Sequence, residues 1–312
     1  MDSMQEPSGL IFDIERFSVR DGPGIRTVAF FKGCNLHCSW CHNVEGISPK
    51  PSLLFDAEKC VLCGACANVC LRQAHEISAA GHMLRRERCN ECFQCASVCF
   101  SGAIMAAGKR FTASGLAEQL TQDEAYYDAS GGGVTLSGGE VMCQRAFAAD
   151  VLRRLKATGV HTAIETNLSF PWREYAALLP FLDLIMADVK TTDAAVYRRH
   201  IGSGLGNVTE NIRQLRRAGI PHIIRTPIIH GVNDDEQMIE DIARMLAGDD
   251  ALRYYELLSY HPLGVEKARE LGLRQPRFDI PKKEAMQALG RAAARQGIPV
   301  RMNGKIFEEG RP

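Results

Sequence analysis

With 312 residues, 46% of them apolar and 24% charged, the chain has the composition of a globular protein large enough for a core and a second module, which excludes a disordered tail or a small disulfide scaffold. Its 37 basic residues balance 37 acidic ones, so it lacks the basic surplus of a nucleic-acid binder. No apolar run is long enough for a membrane span, and the polar N-terminus has no secretory core; no membrane association and a cytoplasmic location are expected.

In chain order, the first expected strand covers residues 27–31 and runs into Cys34-Asn35-Leu36-His37-Cys38-Ser39-Trp40-Cys41. Of 12 cysteines, 11 fall between Cys34 and Cys99, and only Cys143 lies beyond. Thiols two or three residues apart in a long chain without a signal point to metal ligation rather than disulfides. Three thiolates spaced C-x3-C-x2-C fit three corners of an iron–sulfur cube and leave one iron with an open position. An open position separates a catalytic metal site from a closed structural one. His37 and His42 are the alternative source of a fourth ligand.

Residues 53–108 read as an inserted small module. The run Cys60, Cys63, Cys66, Cys70 returns as Cys89, Cys92, Cys95, Cys99 at an offset of 29 residues. Each run has the C-x2-C-x2-C-x3-C spacing of two-cluster ferredoxins, in which the fourth cysteine serves the other cluster. One cluster then takes Cys60, Cys63, Cys66 and Cys99, and the other Cys89, Cys92, Cys95 and Cys70. Leu71 and Phe100 stand where proline usually follows the fourth cysteine. Zinc is the alternative metal, but eight cysteines exceed what a tetrahedral site needs. A module this small cannot bury a core unaided, so the clusters stand in for one.

After the insert, short apolar runs alternate with amphipathic segments. Strands are expected at 134–136, 160–165, 182–189, 223–226, 254–258 and 300–302. Helices are expected at 145–158, 172–179, 208–217, 236–246 and 282–295. Such βα units build a parallel sheet, and periodicity alone leaves an open sheet or a barrel. Polar and glycine-rich residues cluster just after strands: Gly33, 137–140, 165–167, 188–190 and 225–231. The C-terminal edge of the sheet is where ligands sit in either architecture.

Cys34, Cys38 and Cys41, with Trp40 before the last cysteine, resemble the signature of radical S-adenosylmethionine enzymes. The preceding Asp21-Gly22-Pro23-Gly24-Ile25-Arg26-Thr27, with Gly33, narrows the resemblance to the activating enzymes of glycyl radical enzymes. It spans residues 11–272 and includes the eight-cysteine insert that many members outside the pyruvate formate-lyase activase subgroup carry. The resemblance implies an α/β fold, a partial (β/α)6 TIM-type barrel with an inserted ferredoxin-like module. Residues 1–52 would then give the first barrel strand and cluster loop, 53–108 the module, and 109–312 the remaining barrel and C-terminal segment.

The resemblance also implies site roles. S-adenosylmethionine would chelate the open iron of the cluster on Cys34, Cys38 and Cys41, with Trp40 near it. Ser137, Gly138, Gly139 and Glu140 would meet its amino group, the glycines allowing close backbone approach; Val141 stands where the family usually has proline. Glu165 (usually aspartate), Thr166, Met186 and Asp188 correspond to residues around a monovalent cation, Na+ or K+, and the cofactor carboxylate. Glu165, Met186 and Asp188 are its expected ligands. Lys190 is expected to act in catalysis and to hold the cofactor or a nearby carboxylate. Arg225 would hold the cofactor carboxylate with its planar fork, and His261 would lie near adenine and ribose. Asp21 and Arg26 are expected to serve the protein substrate or the closed loop, and Cys143 to pack. His200 and His230 are read as hydrogen-bonding surface histidines.

The implied reaction is reductive cleavage of the C5′–S bond, after which a 5′-deoxyadenosyl radical removes hydrogen from a glycine of a partner glycyl radical enzyme, a lyase, dehydratase or decarboxylase. Three [4Fe-4S] clusters are expected, the two in the insert relaying electrons from a flavodoxin or ferredoxin or helping to dock the partner. The free chain is expected to be a monomer. Two competing functions stay open: a radical enzyme modifying a cysteine or serine of a sulfatase, and an electron-transfer protein. The 21–26 run and an insert between the first two barrel strands favour activation of a glycyl radical enzyme. A ferredoxin-type carrier leaves the βα structure without purpose.

Overall fold

The computed structural model describes residues 6–308. Its strands are β1 Ser8–Ser18, β2 Arg26–Phe31, β3 Ser52–Phe55, β4 His75–Ser78, β5 Gly81–Leu84, β6 Ile104–Ala107 and β7 Lys109–Thr112, then β8 Gly133–Gly138, β9 Thr162–Thr166, β10 Leu184–Asp188, β11 His222–Ile228, β12 Leu252–Ser259, β13 Val300–Met302 and β14 Lys305–Ile306. Its helices are α1 Ala65–Val69, α2 Gln94–Ser97, α3 Ala113–Leu120, α4 Glu124–Ser130, α5 Arg145–Ala157, α6 Trp172–Tyr175, α7 Ala194–His200, α8 Leu205–Ala218, α9 Glu236–Leu246, α10 Leu263–Glu270 and α11 Lys283–Ala294.

Ten strands form one sheet in the order β14-β13-β12-β11-β10-β9-β8-β2-β1-β7. From β2 through β8, β9, β10, β11 and β12 to β13 every neighbour is parallel. Antiparallel β1 and β7 extend one end and β14 the other. The sheet is therefore a partial barrel rather than a closed one.

Strand periodicity divides its two faces. Ile164, Ile185, Ala187, Ile224, Tyr255 and Leu257 point outward into the main core against the helices. The alternate residues Ala163, Leu184, Met186 and Ile223 line the concave face as a separate apolar cluster. Further along the same strands, that inner face turns charged: Glu165, Asp188, Arg225 and Glu256 continue the parity.

Local sequence explains the helices that cover the outside. In α9, Met238, Ile239, Ile242, Ala243 and Leu246 make one buried stripe, and Asp235 accepts a hydrogen bond from Met238 N at 2.9 Å. Such a cap stabilises a helix by about 1 kcal/mol. The helix expected at 172–179 stops at Tyr175, with Pro180 unable to supply the N–H that would continue the α-helical ladder, and a tight turn, Leu179–Phe181, follows. Strand β1 and helices α3, α4, α7 and α10 are absent from the sequence reading.

Between β2 and β7, β3 pairs with β6 and β4 with β5 in two small sheets. The duplication read from the cysteines recurs in the backbone. Leu62, Gly64 and Gln73 have positive φ, and so do Glu91, Phe93 and Gly102, each 29 residues later. Non-glycine residues rarely occupy this region, so the two cysteine loops share an unusual path. Their common interior holds Leu53, Cys66, Cys95 and Ile104, and half of that buried set is thiol. Arg86 ties the insert to the barrel by donating to Leu53 O at 3.0 Å and to Glu270 O at the end of α10.

Candidate active site

The charged end of the concave face is a connected network. The Arg225 guanidinium is paired with Glu165, donates to Arg20 O at 2.8 Å and lies 3.4 Å from Glu256. Ser137 donates to the other oxygen of Glu165. Burial, the largest influence, pushes the Glu165 carboxyl up to about 7; Arg225 pulls it down, and Asp21 and Asp188 push it further up. Burial opposes the charge on Arg225, but Glu165 and Glu256 outweigh it and hold the guanidinium ionised.

Lys190, on the loop after β10, pairs with Asp188 at 2.9 Å and is 8% exposed. Burial works against its charge, yet Asp188 and then Cys38 hold its pKa above the ordinary value. This ion pair faces the cysteine loop.

That loop leaves β2 and is stitched to the loop after β8. Gly139 N donates to Phe31 O and Glu140 N to Gly33 O, both at 2.8 Å. Gly138 has φ +116, where a Cβ would lie 2.2 Å from Phe31 N. A Cβ on Gly139 would lie 2.4 Å from both Gly33 O and Gly46 O. No side chain fits either position, so the two glycines bring one backbone against the other. Glu140, expected to meet a cofactor amino group, is 1% exposed and already braces the site. Its carboxylate accepts from Met142 N at 3.0 Å, Thr166 Oγ1 at 2.9 Å and Asn167 N at 2.8 Å. A carboxylate has about four acceptor positions, so one remains.

The three thiols lie at this edge, free of disulfides. Burial pushes Cys34 and Cys41 up to about 12 and raises Cys38 as well, while Lys190 draws Cys38 and Cys41 back toward the thiolate. Leu36 N donates to Cys34 Sγ at 3.4 Å, and Asn167 Nδ2 lies 3.9 Å from the same sulfur. His37 is exposed, and His42 stacks edge-on against His261 with ring centroids 4.4 Å apart. The buried Tyr197 hydroxyl has no hydrogen-bond partner, and Lys190, Cys38, Cys34 and Glu140 all act on it. Buried polar groups are normally satisfied. Three inward thiols beside a cation and an orphaned hydroxyl suit a thiolate-held cluster with a polar ligand.

In the insert, Cys60, Cys63, Cys66 and Cys99 line one cavity, and His82 shares it. Cys95 feels the charges of Cys89 and Cys70. Backbone amides point at the sulfurs: Ala74 N lies 3.3 Å from Cys70, Ile104 N 3.3 Å from Cys99 and Glu91 N 3.4 Å from Cys89. Donors aimed at sulfur, on loops held in left-handed backbone, fit thiolates bound to metal.

Other residues singled out by sequence fall into place unevenly. Trp40 is buried between His200 and Phe278, with centroids 6.2 and 6.3 Å away. Met186 carries its side chain into the apolar inner cluster, one strand repeat below Asp188. His261 is exposed beside His42. Arg26 is fully buried, bonding Thr135 Oγ1 at 2.7 Å and Val134 O at 2.6 Å, so of its two expected roles the structure favours the closed loop. Cys143, expected to pack, is instead exposed beside Gly33, because the turn after Glu140 directs Val141 and Met142 into the core. His230 is a surface residue paired with Asp234 at 2.6 Å. Glu256 and Tyr197 are site residues that the sequence reading did not name, and Asn167, although inside the polar run 165–167, was given no role; the signal for Glu256 is a charged residue on the inner parity of an apolar strand.

Comparison with known proteins adds an independent line. The radical SAM superfamily profile matches residues 99–246, and a 4Fe-4S single cluster domain profile matches residues 20–71. The chain is 36% identical over 276 residues to a (2S)-3-sulfopropanediol dehydratase activating enzyme of Klebsiella oxytoca, covering 86% of this chain and 87% of that one. It is 38% identical to a choline trimethylamine-lyase activating enzyme of Oleidesulfovibrio alaskensis, covering 88% and 90%. A pyruvate formate-lyase 2-activating enzyme of Escherichia coli is 33% identical, covering 94% and 92%.

Proposed function

Because the chain belongs to the radical S-adenosylmethionine activating enzymes of glycyl radical enzymes, which cleave S-adenosylmethionine and install a glycyl radical on a partner enzyme, we propose that Cys34, Cys38 and Cys41 hold its working cluster and leave one iron for the cofactor. The observation that carries this reading is the set of three partly buried, unpaired thiols at the C-terminal edge of the sheet, facing Lys190. When bound, cluster and cofactor supply the one-electron chemistry that opens a carbon–sulfur bond and starts hydrogen removal from the partner's glycine.

The chain's own part is positioning and electrostatics. Gly138 and Gly139 expose backbone where no side chain fits, and Glu140 locks the loops after β8 and β9 together while keeping one acceptor position for an amino group. Arg225, held in place by Glu165 and Glu256, is the carboxylate clamp, and Lys190 keeps positive charge beside the thiolates. Glu165 and Asp188, with Met186 through its strand, form the monovalent-cation position; Thr166 orients Glu140. Trp40 and His261 border the adenosine end. Tyr197 offers the hydroxyl that the protein leaves without a partner.

Two further [4Fe-4S] clusters occupy the insert, one on Cys60, Cys63, Cys66 and Cys99, the other on Cys89, Cys92, Cys95 and Cys70. The cavity shared by the first four and the influence of Cys70 on Cys95 support this crossed pairing. We assign residues 1–52 and 109–312 to the barrel and 53–108 to the insert, with a flavodoxin or ferredoxin as electron donor to a cytoplasmic monomer. No helix among the described residues is long and apolar enough to cross a membrane. The partner is a glycyl radical lyase, dehydratase or decarboxylase; lyases and dehydratases are the classes in the relatives' names.

Anaerobic reconstitution tests the reading. About twelve irons per chain, 5′-deoxyadenosine on reduction with S-adenosylmethionine, and a glycyl radical signal on mixing with a partner are expected. About eight irons without cleavage would refute it.

A further inference from the structure

The hairpin β4–β5 carries two histidines that the reaction does not use. His82 reaches into the cavity of Cys60, Cys63, Cys66 and Cys99. Its Nδ1 lies 3.2 Å from Cys60 Sγ, and its Nε2 lies 3.0 Å from Nδ1 of His75 and 4.0 Å from Cys66 Sγ. Register explains the pairing: His82 is opposite Ile77 and His75 opposite Leu84, so the two rings are diagonal neighbours on one face. Phe55 fixes the ring from β3, with centroids 4.4 Å apart. With Cys60 as a metal-bound thiolate, which can only accept, one arrangement of neutral rings satisfies both short contacts: His75 Nδ1–H donates to His82 Nε2, and His82 Nδ1–H donates to Cys60 Sγ.

Hydrogen bonds to cluster sulfurs stabilise the more negative, reduced state and so raise the reduction potential. For the ligand set Cys89, Cys92, Cys95 and Cys70 the bonds to sulfur come from backbone, from Ala74 N to Cys70 and Glu91 N to Cys89, whereas the set Cys60, Cys63, Cys66 and Cys99 has the imidazole in addition to a backbone bond from Ile104 N to Cys99. We propose that His82, oriented by His75, sets the reduction potential of the cluster on Cys60, Cys63, Cys66 and Cys99, making it the more easily reduced of the insert's two clusters. This rests on the reading that the insert holds two four-thiolate clusters.

The same neighbourhood admits a rival. Cys66, His75 and His82 offer ligand atoms within 4.8 Å of one another, enough for part of a mononuclear metal site. A cluster is favoured because Cys66 shares its cavity with three further cysteines.

The test is a redox titration followed by electron paramagnetic resonance on the full chain carrying Cys38→Ala, which removes the third signal. His82→Phe, which keeps the ring packed on Phe55, should make one cluster about tenfold harder to reduce at fixed potential, or 59 mV for one electron. The other cluster should not move. His82→Gln, which retains an N–H, should recover most of the change, and His75→Phe should give an intermediate one. The inference is overturned by an unshifted titration at full iron content, by an equal shift of both clusters, or by nitrogen hyperfine coupling strong enough to mark His82 as an iron ligand. If the parent chain holds zinc, or well under about eight irons, it is the two-cluster reading that has failed.

Discussion

Replacing Arg225 by methionine removes the cation that faces Glu165 and Glu256 while roughly preserving its volume. Glu165 and Glu256 lose their counter-charge, and Arg20 O loses a donor at 2.8 Å. Arg225 is 7% exposed, so water does not replace the guanidinium. Breaking a buried pair by removing one partner costs about 3–5 kcal/mol, and each kcal/mol lowers Tm by about 2–4 °C in a domain of this order of size. Anaerobic thermal unfolding should therefore show a fall of roughly 6–20 °C. Adding Glu165→Gln removes the stranded charge, so the double variant should be more stable than the sum of the two single losses by at least about 1 kcal/mol. Additivity to within about 0.5 kcal/mol would show that the two side chains do not act on each other, and the network would be wrong.

The same carboxyl predicts a pH dependence. Its pKa is raised from the ordinary 4.5 to about 7, burial being the main cause. Between those values the folded state holds a proton that the unfolded state releases. The stability Glu165 contributes is thus fully present below 4.5 and is lost as pH rises through about 7. The difference between wild type and Glu165→Gln, measured by unfolding on either side of that window, isolates this group; a difference independent of pH would contradict the assignment. Cys38→Ala should abolish 5′-deoxyadenosine formation and lower iron from about twelve to about eight per chain; retained cleavage would displace the proposed working cluster. Cys99→Ala should remove the cluster whose potential responds to His82 and leave its neighbour; loss of the other cluster's signal instead would disprove the crossed pairing. Gly139→Ala forces a Cβ to 2.4 Å from two backbone carbonyls, so the cysteine loop must shift and the first cluster should load poorly. Normal iron content and cleavage in that variant would show the loop contact to be dispensable.

Much of the barrel was legible because its elements keep one period throughout. Helix α9 and strand β13 have the expected bounds, and the Ala163-Ile164-Glu165 triplet already shows inner, outer, inner. Strand β1 was not legible for a physical reason. Register shifts between Ile11 and Asp13 and between Glu15 and Ser18 break its alternation, so Ile11, Phe12, Ile14 and Phe17 follow no single period. Helix α7 has only seven residues and is held by Asp193 at its start, too short for a 3.6-residue pattern to establish itself. It nevertheless carries Tyr197 to the cluster loop. Glu256 becomes meaningful only when the register places it opposite Arg225, a pairing that no local window contains. The cysteine motifs were readable because metal geometry acts through short spacings. Glu140 shows the limit of that kind of reading: a motif located the side chain, but only the fold revealed three internal donors upon it.

The half-thiol interior of the insert has a consequence for how the protein is made. The barrel has its own large apolar core and can order as the chain is synthesised. Between β3 and β6, however, lies a segment whose own interior centres on Leu53, Cys66, Cys95 and Ile104, too little to close without metal. Maturation should then proceed in two stages: a folded barrel carrying a loose loop, followed by iron delivery that turns the loop into a solid module. Chelation should reverse only the second stage and expose the insert, not the barrel, to proteolysis; simultaneous digestion of both would contradict the order. Exposure to oxygen would then spare the scaffold, leaving a protein that iron–sulfur assembly can refill rather than one that must be synthesised again.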